Sequence, residues 1–212
     1  PDIESLYALD VELINKHLIR LLRGEKIQIP KFDFKTGKSL PGARELKLGK
    51  NQVVIVEGIH GMNEKLTERI DKDQKYKIYI SALTQLNLDY VNRIPTSNIR
   101  LLRRIVRDYQ FRGYSAIQTI RAWPLVRRGE ERNIFPFQEE ADIMFNSSLV
   151  YEMSVLRGYA EPLLKDVDEE DEAYVTAKQL LQFVYNFLPV TPDKVPRTSI
   201  LREFIGGSGF RY

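Results

Sequence analysis

The sequence has no cysteine among its 212 residues, and it has only two histidines. The absence of cysteine excludes disulfide bonds and thiol catalysis, which fits a reducing compartment and predicts a cytoplasmic location. With His17 and His60 as the only imidazoles, a histidine-based metal site or catalytic triad is not expected. Any catalytic or binding chemistry is therefore expected among the charged side chains, which make up 29% of the residues.

Long apolar runs are also absent. Although 43% of the residues are hydrophobic, charged residues interrupt them throughout, so neither a membrane span nor a secretory signal is predicted. A chain of this length and composition can bury a substantial core. We expect one globular domain, or one domain with an appendage.

The segment FKTGKS, residues 34–39, ends like a phosphate-binding loop but lacks the first glycine of that motif. The complete motif places a glycine five positions before Gly37, where this sequence has Phe32. Pro41 and Gly42 follow almost at once and would end a helix. We expect a tight turn between two short extended runs, so any phosphate binding depends on other residues.

Segments typical of strands and helices alternate, which predicts an α/β fold with a mainly parallel sheet flanked by helices. Residues 52–56 form a continuous apolar, β-branched run that is typical of a strand buried on both faces. Two further strands are predicted at residues 77–80 and 142–145. Asp10 is a good N-cap for a first helix that ends at Gly24.

Several further helices are predicted from apolar spacing, caps and breakers. They cover residues 63–70, 97–112 with Ser97 as the cap, a stretch from Ser115 with a kink or break at Pro124, about 149–165 and about 172–187. The tail, residues 199–210, is expected to form a short helix with a glycine-rich end.

Glu57 follows the predicted buried strand directly, at the edge where open parallel sheets bind ligands. A carboxylate at the end of a buried strand is unfavourable unless it is compensated, and a Mg²⁺ ion with its waters would compensate it. The other interpretation is a Glu that caps the next helix or accepts from a nearby backbone amide. The residues alone leave both interpretations open.

Ten arginines and no lysine lie between Arg93 and Arg132. Four of them occupy one side of the predicted helix 97–112, opposite its apolar side: Arg100, Arg103, Arg104 and Arg107. Because like charges three and four residues apart repel each other, an anionic partner is expected to face them. The exclusive use of arginine favours bidentate recognition of phosphate. The alternative is a nucleic-acid-binding or regulatory module, although aromatic residues for base stacking are sparse here.

Four segments, in chain order, carry a family resemblance: PDIESLYALDVELINKHLIRLLRGEKIQIPKFDFKTG, VVIVEGIHGMNEKLT, NIRLLRRIVRDYQFRGYS and EEADIMFNSS. Together they resemble the uridine kinase and phosphoribulokinase family of P-loop kinases, over about residues 1–165. The resemblance implies a partial P-loop NTPase-like kinase core at 1–166 with lid helices at about 97–128. A helical C-terminal extension would follow at 167–212.

The resemblance also implies site residues and ligands. Glu57 is the implied metal-binding residue, and ATP and Mg²⁺ are the implied cofactors. Arg104, Arg107 and Arg112 are implied as catalytic lid arginines, Arg103 and Arg107 as cofactor-binding residues, and Glu4, Phe32 and Arg104 as substrate-binding residues. The implied reaction transfers the γ-phosphate of ATP to a hydroxyl of a small nucleoside-like or sugar-like acceptor. Homo-oligomerisation is left open.

The sequence departs from uridine kinases at the acceptor positions. Uridine kinases have an Asp where Glu4 lies, and a Tyr, a His and a Gln where Phe32, Gly37 and Ala122 lie. Because these pyrimidine-reading groups are absent, uridine and cytidine are expected to be poor substrates. The family's phosphate-binding loop and catalytic Asp would lie upstream of Pro1, so this chain alone is expected to be inactive.

Overall fold

The computed structural model describes residues 5–33 and 38–211. The chain divides into two compact units: unit 1, Pro1–Tyr79 with Gly129–Ile143, and unit 2, Ile80–Arg128 with Met144–Tyr212. This division differs from the boundary predicted at residue 166, which stays a prediction.

The first helix of unit 1 begins and ends where the sequence predicts. Helix α1 spans Val11–Leu22, and the carboxylate of Asp10 accepts a hydrogen bond from the backbone N–H of Leu13 at 2.9 Å. Gly24 lies just beyond the helix with a φ of 73°, a left-handed conformation that glycine adopts without steric cost. The N-cap and the terminating glycine are therefore confirmed.

A β-hairpin follows α1. Strand β1 (Ile27–Asp33) pairs antiparallel with strand β2 (Lys38–Leu46), and Ile27 lies opposite Leu46 at the open end. Lys38 thus begins a strand, whereas the lysine of a phosphate-binding loop lies at the start of a helix. Residues 34–37, where the tight turn is predicted, lie outside the described residues, so the prediction that FKTGKS is not such a loop agrees with the strand at Lys38 but stays a prediction.

The predicted acceptor residues Glu4, Phe32 and Gly37 are described only in part. Glu4 and Gly37 lie outside the described residues. Phe32 is described through its backbone, which pairs with Ser39 in the hairpin. The substrate-binding roles of Glu4 and Phe32 therefore stay predictions.

Residues 52–56 do not form the predicted buried strand. The segment has no strand assignment, and the Val53 and Ile55 residues are 82% and 85% exposed. The prediction is wrong because a β-branched run favours a sheet only where neighbouring strands supply hydrogen bonds and packing. Among the described residues no strand pairs with this segment.

A short 3₁₀-helix, Glu64–Thr67, replaces the longer helix predicted after Asn63. The Asn63 side chain caps it by accepting a hydrogen bond from the backbone N–H of Lys65. Asn15 of α1 joins the two elements, because its buried amide donates to the carbonyl of Leu66 at 3.0 Å and accepts from the N–H of Arg69 at 3.1 Å. Each half of the Asn15 amide is thereby satisfied, as burial of a polar group requires.

Two of the predicted strands are present: β3 (Ile78–Ser81) and β4 (Ile143–Asn146). The N–H of Ile143 donates to Lys77 O at 3.3 Å, and the N–H of Ser147 donates to Ser81 O at 2.8 Å. The pairing advances in the same direction on both strands, so they are parallel. The α/β class is confirmed, but a mainly parallel sheet is not, since the described residues form this pair and one antiparallel hairpin.

The helices after β3 are α2 (Thr96–Arg112), α3 (Ala116–Asn133), α4 (Glu152–Lys165), α5 (Tyr174–Val184) and α6 (Arg202–Ile205). Helix α2 begins after Pro95 and not at the predicted cap Ser97, and it ends at Gly113 with a φ of 71°. Helix α3 continues through Pro124 without a break. In the described ranges no helix is both long enough and apolar enough to span a bilayer.

The core of unit 2 is built around one side of α2. Leu102, Ile105 and Val106 have no exposed surface, and they belong to a cluster that includes apolar residues of α4, α5 and α6. Tyr109, one turn further along α2, is 55% exposed. Residues three and four positions apart lie on the same side of a helix, so Leu102, Ile105 and Val106 are buried together. The arginines lie on the other side of α2.

In unit 1, Glu64 has two lysine partners. Its carboxylate lies 2.7 Å from Lys75 Nζ and 2.5 Å from Lys77 Nζ. The hydrogen bonds from Lys75 and then from Lys77 lower the pKa of Glu64 from 4.5 to about 2. Because the folded-state pKa is depressed, this carboxylate stabilises the fold above pH 4.5, and the contribution disappears as the pH falls toward 2.

We expect Glu64→Gln to lower stability at neutral pH and to flatten the decline in stability between about pH 5 and pH 2. The measurement is the urea midpoint of unfolding as a function of pH. Glu68→Gln is the matched control, because Glu68 is an exposed neighbour in the same segment. Equal pH dependence in both variants would contradict the role of the two lysines.

Candidate functional site: an arginine-lined cavity

A cavity of about 220 Å³ lies in unit 2, next to the carboxyl ends of β3 and β4. Open parallel sheets bind their ligands at this end of the strands. The walls come from β3 and the residue after it, the arginine side of α2, α3, the segment after β4, and α6: Ile80, Ser81, Ala82, Arg100, Arg103, Arg104, Arg107, Trp123, Val126, Ser147, Glu203 and Phe204. We call this site the arginine cavity.

The Asp108 carboxylate forms ion pairs with all three arginines predicted to be catalytic. The carboxylate, 4% exposed, lies 3.0 Å from Arg107 Nη2, 3.3 Å from Arg104 Nε and 3.3 Å from Arg112 Nη1. The negative charge offsets the repulsion among guanidiniums that the sequence predicts for this helix. Asp108 therefore restrains the arginines in one arrangement without any external anion.

Arg103 is the buried member of the set. Its Nε and Nη2 donate to the Glu152 carboxylate at 2.5 and 2.7 Å, and Nη1 and Nη2 donate to the side chain and the carbonyl of Ser147. The Phe204 ring lies 5.1 Å from the guanidinium carbon. These contacts use four of the five guanidinium N–H groups, so at most one is left for a ligand. The cofactor-binding role of Arg103 stays a prediction.

Arg104 and Arg107 line the cavity directly, and their side chains are 29% and 22% exposed. The Arg107 guanidinium uses Nε and one Nη2 hydrogen for Asp108, so three further N–H groups can reach a ligand. Arg112, 49% exposed, shares Asp108 but is not among the residues that line the cavity. The structure thus brings the three arginines together on one carboxylate and two of them to one cavity.

An aromatic side chain also faces the cavity. The Arg100 guanidinium carbon lies 5.9 Å from the centroid of the Trp123 ring, within the range of a cation–π contact. This contact covers one face of the indole. Trp123 therefore supports an arginine and leaves that face closed to a stacked base.

The predicted metal-binding residue, Glu57, belongs to unit 1 and is exposed, in a segment without regular structure. Among the described residues no group of three or more Asp, Glu, His or Cys side chains is placed to hold a metal ion. A single accessible carboxylate still fits Mg²⁺, which keeps several waters and often takes one or two carboxylates together with phosphate oxygens. The metal-binding role of Glu57 stays a prediction.

Three residues of the site were missed by sequence reasoning. Asp108 could have been found, because it is the one acidic residue of α2 and lies four residues from both Arg104 and Arg112. Glu203 and Phe204 lie about a hundred residues after the arginines of α2 in the chain. Nothing in their local sequence indicates that they reach the arginine cavity.

The amino-acid sequence is similar to a known protein family and to several of its members. Residues 2–154 match the family described as "Phosphoribulokinase / Uridine kinase family". A uridine kinase of Bacillus pumilus is 30% identical over 138 residues, which is 65% of this chain and 57% of the relative. A uridine kinase of Brevibacillus brevis is 28% identical over 139 residues, 65% of this chain and 56% of the relative.

A relative with a different name is also similar. "Inorganic pyrophosphatase TTM2" of Arabidopsis thaliana is 29% identical over 85 residues, which cover 40% of this chain and 12% of that protein. The match to the first two relatives spans little more than half of their length.

The Arg103–Glu152 pair generates a stability prediction. We expect Glu152→Gln to cost about 3–5 kcal/mol of unfolding free energy, because the buried Arg103 charge would lose its counterion. Urea denaturation followed by circular dichroism measures the change. Glu161→Gln on the same helix is the control, since the Glu161 side chain, which pairs with Arg157 and Lys165, is 24% exposed and its replacement should cost much less. Similar stabilities for the two variants would show that the buried pair is not a major contributor.

Proposed function

This chain belongs to the phosphoribulokinase and uridine kinase family, and on that premise we propose that it takes part in ATP-dependent phosphoryl transfer. In this proposal the arginine cavity binds the phosphoryl group that passes from ATP to a hydroxyl of a small nucleoside-like or sugar-like acceptor. The names of the uridine kinase relatives support this class of reaction.

The observation that carries the proposal is the placement of Arg107. Its guanidinium is fixed on one side by Asp108 and retains N–H donors on the side of the cavity. Phosphoryl transfer needs positioning and charge neutralisation more than covalent help from the protein. A restrained guanidinium at the end of parallel strands supplies both.

The other residues have supporting roles. Arg104 would bind the same phosphoryl group from the neighbouring position on α2, while Asp108 positions both guanidiniums. The Mg²⁺-binding role of Glu57, which belongs to unit 1, is proposed from the family resemblance alone. Arg112 would act from the edge of the cluster, consistent with its greater exposure.

The alternative, a nucleic-acid-binding module, receives less support from the geometry. A groove for nucleic acid presents its cations along the path of the backbone. Here Arg103 is buried against Glu152, and three other arginines converge on Asp108. Such a convergent cluster suits one compact anion better than a long phosphate chain.

We expect Arg107→Ala to lower kcat for phosphoryl transfer by about 10³-fold in the protein at its natural length, because an arginine that stabilises the transferring group contributes on that scale. ATP turnover would be measured against a panel of nucleosides and sugars, with the acceptor that turns over fastest used for the variants.

Arg121→Ala is the matched control for this experiment. Arg121 lies in the same arginine-rich stretch but pairs with Asp171 and Glu172, away from the residues that line the cavity. Its replacement should leave kcat within a small factor of the wild type. The proposal fails if no acceptor in the panel supports ATP turnover, or if Arg107→Ala is as active as Arg121→Ala.

A further inference from the structure

The arginine cavity has one wall outside the stretch that matches the family. The match ends at residue 154, yet Glu203 and Phe204 of α6 line the cavity. The C-terminal segment therefore adds two side chains to a site whose arginines come from the family core. One of the two is a carboxylate.

The segment around α6 is anchored on both sides of Glu203. The Arg202 guanidinium donates to the carbonyls of Pro192 at 2.8 Å, Gly206 at 3.3 Å and Val195, and so closes the segment into a compact loop. Leu201 is fully buried in the core of unit 2. These contacts fix the backbone on which Glu203 is carried.

Phe204 continues the anchoring on the other side. Its ring is 9% exposed and packs over Arg103, whose charge is already paired with Glu152. Because Leu201, two residues before it, and Phe204, directly after it, are both buried, Glu203 is held at the cavity while its own side chain stays exposed. The position of this carboxylate follows from core packing and not from an attraction to the arginines.

Among the described residues the Glu203 carboxylate forms no ion pair with a cavity arginine, whereas Arg103 pairs with Glu152, and Arg107 with Asp108. The cavity therefore presents guanidinium N–H donors on one wall and an acceptor carboxylate on another. A bare polyanion would be attracted by the first wall and repelled by the second.

We propose that Glu203 determines ligand specificity at the arginine cavity, by accepting hydrogen bonds from the hydroxyls of a sugar or polyol whose phosphoryl group is held by Arg107. This inference rests on the proposed function and names the part of the ligand next to the phosphoryl group. Hydrogen bonds from hydroxyls to a carboxylate are charge-assisted and strong. The ligand class is a phosphorylated polyol, as formed when the hydroxyl of an acceptor receives the phosphoryl group.

The size of the cavity agrees with this class. Pockets for whole drug-sized ligands occupy about 300–1,000 Å³, whereas this cavity has about 220 Å³. It suits a phosphoryl group with the adjoining sugar better than a complete nucleotide. The face of Trp123 that Arg100 covers is likewise closed to a stacked base.

The test uses two probes, ribose 5-phosphate and inorganic tripolyphosphate, titrated into this chain by calorimetry at low ionic strength. For Glu203→Gln we expect ribose 5-phosphate to bind about fivefold more weakly, because a neutral amide accepts hydroxyl hydrogen bonds less strongly. We expect tripolyphosphate to bind about fivefold more tightly, because the repulsion is removed. Glu170→Gln removes the same charge at an acidic stretch outside the cavity and should shift neither affinity specifically.

Opposite shifts for the two probes support the proposal, since a general change in charge or fold moves both in one direction. It is overturned if both affinities shift together, if neither shifts, if Glu170→Gln reproduces the result, or if the wild type does not bind ribose 5-phosphate. Arg107→Ala separates this inference from the proposed function. If Arg107→Ala binds neither probe and Glu203→Gln binds both probes as the wild type does, only the role of Glu203 is refuted. If Arg107→Ala binds both probes as the wild type does, the phosphoryl site itself is refuted.

Discussion

The buried ion pair between Arg103 and Glu152 is the interaction on which the arrangement of unit 2 depends. It joins the middle of α2 to the first turn of α4, and Ser147, just after β4, supplies two further acceptors for the same guanidinium. The Glu152 carboxylate also accepts from the N–H of Leu149, so its own burial is well compensated. Because an isolated charge in this position would cost several kcal/mol, loss of either partner is expected to destabilise the packing of the strand end against the two helices.

The repulsion among the arginines of α2 is offset within the chain. Asp108, nearly fully buried, takes up three guanidiniums that would otherwise repel one another along α2. The demand for an anionic partner is thereby met in part within the chain. What remains for a ligand is a set of restrained N–H donors in a small cavity, an arrangement that favours a compact phosphoryl group over an extended polyanion.

The sequence predicted those features that depend on local rules. The cap at Asp10, the left-handed Gly24 and the apolar side of α2 all follow from neighbours within one or two helical turns. It failed where the outcome depends on distant partners. Residues 52–56 have strand composition but no strand beside them, and the pairing of Arg103 with Glu152 joins positions 49 residues apart in the chain.

For the candidate site as well, local spacing predicts some residues and long-range packing determines the others. The convergence of Arg104, Arg107 and Arg112 could be expected from their spacing, and Asp108 could have been added by the same rule. Glu203 could not, because its approach to the cavity is determined by the packing of α6 against α2 and by the loop that Arg202 closes. Sequence patterns identify the chemistry of an arginine helix, whereas tertiary packing decides what faces it.

The most direct test of the account is a crystal structure of the protein at its natural length with Mg²⁺ and a non-hydrolysable ATP analogue. The account predicts that an oxygen of the terminal phosphate lies within hydrogen-bonding distance, about 3 Å, of the Arg107 guanidinium in the arginine cavity. A bound analogue whose phosphates lie elsewhere, with the N–H donors of Arg107 directed only to Asp108 and solvent, would contradict it.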